Sequence, residues 1–213
     1  MLLTIEAPSN VAEGMVAGSD LIADCYFRWH LKLMQNEALF DPSWDCESTR
    51  LQDRLRWADR LFNASGRRLP QDPLFARVIE RLILLKPIDV QRLSCAMSLL
   101  ARRDDLRRCI DGPTVRTLQA MVGTAALAAI LRSQRIPQSG PAAADLSVRT
   151  LVAQGFSRLT HVYDGHWSMA LQYLRLAFPA DMPTVPCIED ASQFERMLRE
   201  AHAWYPETTW LYG

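Results

Sequence analysis

VQRLSCAMSLLARRDDLRRCIDG, Val90 to Gly112, opens on a helical stripe and closes on a knot of charge. Val90, Leu93, Ala96, Met97 and Leu100 recur at the spacing of one helix face, while Gln91, Ser94 and Ser98 fall on another. The pattern then restarts. Asp104 or Asp105 can cap a short second helix through Ile110, with Leu106, Cys109 and Ile110 at core spacing and Gly112 as its stop. That reading turns Arg103, Arg107 and Arg108 outward beside Asp104 and Asp111. Ion pairs at three- and four-residue spacing then satisfy part of their charge, each contributing only about 0.2–0.5 kcal/mol. The stretch therefore reads as a joint between two helices with a mixed-charge outer surface.

Helical spacing continues on both sides. Upstream, QDPLFARVIERLILLKP predicts a helix capped by Asp72, with Pro73 in its first turn and Pro87 as its stop. Its apolar stripe is Leu74, Phe75, Val78, Ile79, Leu82 and Ile83, and Arg77, Glu80 and Arg81 share the opposite face. STRLQDRLRWADRLFNASG predicts another helix ending at Gly66, and SDLIADCYFRWHLKLMQ an N-terminal one; FDPSWD between them reads as a turn. Downstream, PTVRTLQAMV and TAALAAILRSQ predict two helices split at Gly123-Thr124, followed by a proline loop, RIPQSGPAAAD. DLSVRTLVAQGFSRL, HWSMALQYLRLAF and DASQFERMLREAHAW close the chain as helices. The second of these is apolar almost all round and is expected at the centre of the packing.

No segment alternates with period two, so an all-α irregular bundle of about eight to ten helices without substantial sheet is expected. Residues 1–18 read as a flexible leading segment, and 19–213 as one helical domain with a proline-containing loop near 135–145.

The chain has 213 residues and a formal net charge of zero, which gives no global attraction to nucleic acid or acidic membrane. The zero conceals segregation. Residues 1–49 carry a balance of −6, residues 50–135 of +9 and residues 136–213 of −3. Either acidic and basic elements face each other in the fold, or a basic face docks on an acidic partner. The five cysteines, Cys25, Cys46, Cys95, Cys109 and Cys187, show no CxxC and no metal-ligand spacing, and read as reduced, mostly buried thiols. The N-terminus lacks the basic region of a signal peptide, and the longest apolar run falls short of the ~20 residues a bilayer span needs. A cytoplasmic location without direct membrane insertion is expected.

Candidate chemistry is sparse. In THVYDGHW, His161, Asp164 and His166 could bind a metal or move protons, but their spacing does not put both histidines on one helix face. Cys109 follows two arginines that could lower its pKa, yet it shares a core stripe with Leu106 and Ile110. Phosphate-loop and GxSxG motifs are absent. The arginine clusters lack interleaved aromatics and are diluted by aspartates, which argues against a nucleic-acid surface. No cofactor is expected. Two readings stay beside a docking role: a helical enzyme using the His161–Asp164–His166 turn, and a nucleic-acid regulator using residues 50–135.

The run from Leu93 to Leu131 resembles the core of the SctK (YscK-like) family of bacterial type III secretion systems. The residues that carry the resemblance are Leu99 and Leu100, the LRRCI segment (Leu106 to Ile110), and a helix pair with Leu118, Gly123, Ala126 and Leu127. DPSW, Asp41 to Trp44, is similar to an early turn in that family. The resemblance implies a non-enzymatic scaffold, peripheral to the inner membrane. Its partners would be the cytoplasmic domain of the inner-membrane ring protein and the pod protein of the sorting platform. Arg103, Asp104, Arg107 and Arg108 are the candidate partner-facing patch.

Overall fold

The structure, a computed structural model, describes residues 19–34, 41–44, 78–109, 111–133, 145–161, 169–183, 185 and 191–211. Among the described residues every regular element is helical. In chain order they are α1 (Ser19–Met34), α2 (Val78–Arg81) continued by a 3-10 turn (Leu82–Leu84), α3 (Pro87–Ala101), α4 (Arg103–Arg108) and α5 (Gly112–Val122). Then come α6 (Thr124–Arg132), α7 (Val148–His161), α8 (Met169–Leu176), α9 (Ala191–Trp204) and a closing 3-10 segment (Pro206–Leu211). The expected leading segment 1–18, the helix over 48–66 and most of the loop near 135–145 lie outside the described residues.

α3 is the hub. It packs along α7 and also touches α4, α5, α6 and α9. From Leu93 to Ala101 every side chain is buried, because five neighbours leave no solvent face to the second half of the helix. This corrects the expectation that HWSMALQYLRLAF forms the centre: α8 instead packs on α2 and its 3-10 continuation. A Phe156–Phe178 ring pair at 4.5 Å ties α7 to the end of α8, and Trp29 on α1 meets Tyr173 of α8 at 5.8 Å.

Helix boundaries differ from expectation where proline and glycine act at starts rather than stops. Pro87 occupies the first turn of α3, where its missing N–H costs nothing, so that helix begins before Asp89. Gly112 opens α5 instead of closing α4. The Asp111 side chain accepts the Thr114 N–H at 3.0 Å as the N-cap, and α4 has already ended at Arg108. Asp104 and Asp105 sit in the first turn of α4, and the N-cap is Arg102. The expected split at Gly123 is present. Its φ of 89° and ψ of 151° lie in a region nearly confined to glycine, and the chain bends there by 109° between α5 and α6. No single helix among the described residues is long and apolar enough to cross a membrane; α5 and α6 together have that length and composition, but they are bent by 109°.

Side-chain donors, three of them cations, close the helix ends. The last carbonyls of a helix have no partner within it and attract positive charge. Lys32 Nζ donates to the carbonyls of Ile83 at 3.0 Å and Leu85 at 2.5 Å, where the 3-10 turn ends. Arg92 donates to Met121 O at 3.2 Å and Tyr205 Oη to Val122 O at 2.9 Å, together finishing α5. Arg81, only 1% exposed, donates to Leu211 O near the C-terminus. Glu80 and Arg81, expected on the polar face of their helix, are instead buried, and the C-terminal 3-10 segment reaches back to Arg81; the expected start of the helix, from Asp72 to Arg77, lies outside the described residues.

Candidate functional site

The charged joint is built around one residue. α3 ends at Ala101 and α4 begins at Arg103, so Arg102 alone turns the chain, with φ −104° and ψ 25°. Its guanidinium pairs with Asp105 at 3.1 Å and donates to Asp145 O at 2.6 Å, joining the joint to the start of α7.

Arg103 also points inward. Its side chain is 9% exposed, pairs with Asp104 at 2.9 Å and donates to Ser133 O just past α6. This corrects the expectation that it faces solvent. α4 lies against α6, and the orphan carbonyls at the end of α6 lie within reach of arginine side chains. Arg107 donates to Leu131 O in the same turn but remains exposed. Arg108 is the outermost, 77% exposed; it meets Asp105 at 3.1 Å and Asp104 O at 3.1 Å. Of the four candidate residues, Arg107 and Arg108 form an outer edge, Asp104 is half-exposed on its rim, and Arg103 belongs to the interior. The edge gains Arg132, exposed in the last turn of α6, which sequence spacing could not connect to α4.

A second polar cluster lies where Asp41–Trp44 docks on the end of α8. Asp41 N donates to Leu176 O at 2.7 Å, Trp44 Nε1 to Phe178 O at 2.8 Å, and Gln91 Nε2 to both Asp41 Oδ2 at 2.9 Å and Ala177 O at 2.7 Å. Arg175 lies 4.9 Å over the Trp44 ring and donates to Pro179 O at 2.9 Å and Ala180 O at 3.1 Å. Burial pushes the Asp41 carboxyl up, but the Ser43 hydroxyl and N–H, Gln91 and nearby Arg175 outweigh it and hold the group below its ordinary value. This tight turn is the expected one, used as a strap between segments far apart in sequence.

The strap has a pH signature. A carboxyl whose pKa is lowered by folding contributes stability above its unfolded value, near 3.9, and loses it as pH falls through the folded value. Asp111, held down mainly by the Thr114 hydroxyl, and Asp145, held down mainly by the Ser147 hydroxyl, act in the same direction. The denaturant midpoint should therefore hold steady from neutral pH to about 5 and fall below about 4. Asp41→Asn should be less stable at neutral pH and show a shallower acid decline. Parallel declines in the two proteins would remove Asp41 from this account.

The other sequence candidates fall partly outside the described residues. His161 is the last described residue of α7, and Asp164 and His166 lie outside the described residues. Cys109 follows α4 in extended conformation and is half-buried rather than a core thiol. Cys25 and Cys95 are buried and free; burial pushes the Cys95 thiol up to about 12, which keeps it protonated and inert at neutral pH. Among the described residues no group of three or more His, Cys, Asp or Glu side chains could hold a metal ion.

These features define an all-helical protein in which several arginines bond to carbonyls at its own helix ends and others stay exposed. A model of the family described as bacterial type III secretion protein (HrpB4) matches residues 17–207, and the chain belongs to that family. It is thus a type III secretion component, in keeping with the SctK-like resemblance of Leu93 to Leu131. The family is one of secretion proteins and not a known enzyme family. No curated protein and no solved structure matches the chain.

Proposed function

We propose that this chain is a non-enzymatic adaptor of the type III secretion machine, linking the cytoplasmic domain of the inner-membrane ring protein to the pod protein of the cytosolic sorting platform. On this reading it is cytoplasmic and held at the inner membrane by its protein partners. The observation that carries the proposal is the fate of the charged joint in a chain of this family. Arg102 and Arg103 are committed to carbonyls and aspartates of their own fold. What the joint presents outward is a charged protein surface, which gives register and specificity in docking.

Affinity purification of the tagged chain from a secreting bacterium tests this. Ring and pod proteins should both co-purify, and both should be lost when the bait is denatured before capture. Recovery of neither from intact complexes would overturn the adaptor role while leaving membership of the secretion family intact.

A further inference from the structure

The acids around the α3–α4 joint are already engaged. Asp104 is held by Arg103 at 2.9 Å, Asp105 lies between Arg102 and Arg108 at 3.1 Å from each, and Asp111 accepts from Thr114 as the α5 cap. From Gly112 through Ala144 the sequence contains no Asp or Glu, yet it carries Arg116, Arg132 and Arg135. The basic residues of this stretch have no acid within it to pair with.

Arg132 shares an edge with two cations of α4, Arg107 and Arg108. Arg107 donates to the carbonyl of Leu131, which precedes Arg132, so the end of α4 lies against the last turn of α6. Arg107, Arg108 and Arg132 are all exposed there. Arg107 makes only that single backbone bond, and Arg132 makes no hydrogen bond or ion pair among the described residues. A guanidinium carries five donors in a planar fork that matches a carboxylate. The bond to Leu131 O fixes the position of Arg107 and leaves most of its donors unspent.

We infer that the Arg107–Arg108–Arg132 edge docks an acidic segment of a protein partner, its carboxylates paired with the three guanidiniums. This rests on the adaptor reading for the partner's identity; the acidic chemistry comes from the edge itself. A phosphate backbone is the poorer match. The edge has few described cations, and the half-exposed Asp104 carboxylate at its rim repels phosphate.

The test titrates the purified full chain with the purified ring-protein cytoplasmic domain and, separately, with the pod protein, at low and high salt. One of the two should bind, more weakly at high salt because exposed charges are screened. Arg132→Glu should weaken that binding about tenfold or more, since attraction becomes repulsion. Arg132 has no partner to lose within the described fold, so this variant should melt with the wild type. Unchanged binding by both Arg132→Glu and Arg108→Glu would overturn the edge and leave the adaptor reading standing. Binding of neither protein by the wild type would overturn the adaptor reading and this inference with it. Duplex DNA bound with the same dependence on Arg132 would overturn the acidic-protein occupant.

Discussion

Gly155→Ala is expected to unfold the chain or to lower its stability by more than about 3 kcal/mol, although alanine is the better helix former by about 1 kcal/mol. The reason is the closeness of α7 to α3. A Cβ on Gly155 would lie 2.1 Å from Ser94 O, 2.5 Å from Ser94 C and 2.7 Å from Ser94 Cα. These are backbone atoms in the middle of the hub helix and cannot rotate away. Relief requires the two helices to separate by roughly 1 Å, and a gap of 0.5–1 Å already forfeits about a quarter to a half of each dispersion contact. Leu93, Met97, Leu151 and Val152 are all buried around that seam. Ser98 Oγ also donates across it to Leu151 O at 2.7 Å, a bond that separation would stretch. Ser157→Ala on the same helix controls for propensity and should be close to neutral. Circular-dichroism melts of the two variants separate the effects. A Gly155→Ala protein as stable as wild type would mean that α3 and α7 do not approach this closely.

Arg81→Ala is the second large expected loss, about 3–5 kcal/mol. Arg81 is among the largest fully buried side chains of the described residues, and its guanidinium donates to the carbonyl of buried Leu211. Removing it leaves that carbonyl buried without this donor and opens a cavity between α2 and the C-terminal 3-10 segment. Both effects act on the same contact, so the loss should appear first as local release of the C-terminus. Limited proteolysis should cut near residues 205–211 in the variant under conditions that spare the wild type. Denaturant unfolding should show the full loss. A change under about 1 kcal/mol would show that water or another group replaces the guanidinium without cost.

Much of the architecture is legible in the sequence because it rests on local periodicity and local breakers. The α5–α6 corner follows from Gly123, the only described glycine with positive φ. The apolar stripes of α1 and α7 lie on helices, as their spacing predicts. Spacing does not reveal which polar face meets a neighbour. Arg81 sits on a polar stripe, yet the C-terminal segment folds back over it. Arg103 follows Leu100 by three residues and precedes Leu106 by three, a spacing that carries a signal for an inward position, but its charge argues the other way. The arginine wins an interior place because the carbonyls ending α6 need donors there.

The candidate edge divides in the same way. Arg107 and Arg108 are visible as the outer side of a short helix. Arg132 is twenty-four residues beyond Arg108 and joins them only through packing of α4 on α6. The acid-free stretch from Gly112 to Ala144 is the sequence signal that points to it.

The central claim is that, among the described residues, packing and capping engage Arg81, Arg102 and Arg103 and leave Arg107, Arg108 and Arg132 as outer charge for docking. Urea unfolding of Arg103→Ala beside Arg108→Ala tests it most directly, since the two arginines are five residues apart on one helix. Loss of the buried clamp on Ser133 O should lower stability by about 2 kcal/mol, whereas loss of the exposed Arg108 pair should cost less than about 1 kcal/mol. Equal, small losses in the two variants would contradict the claim and return Arg103 to the surface.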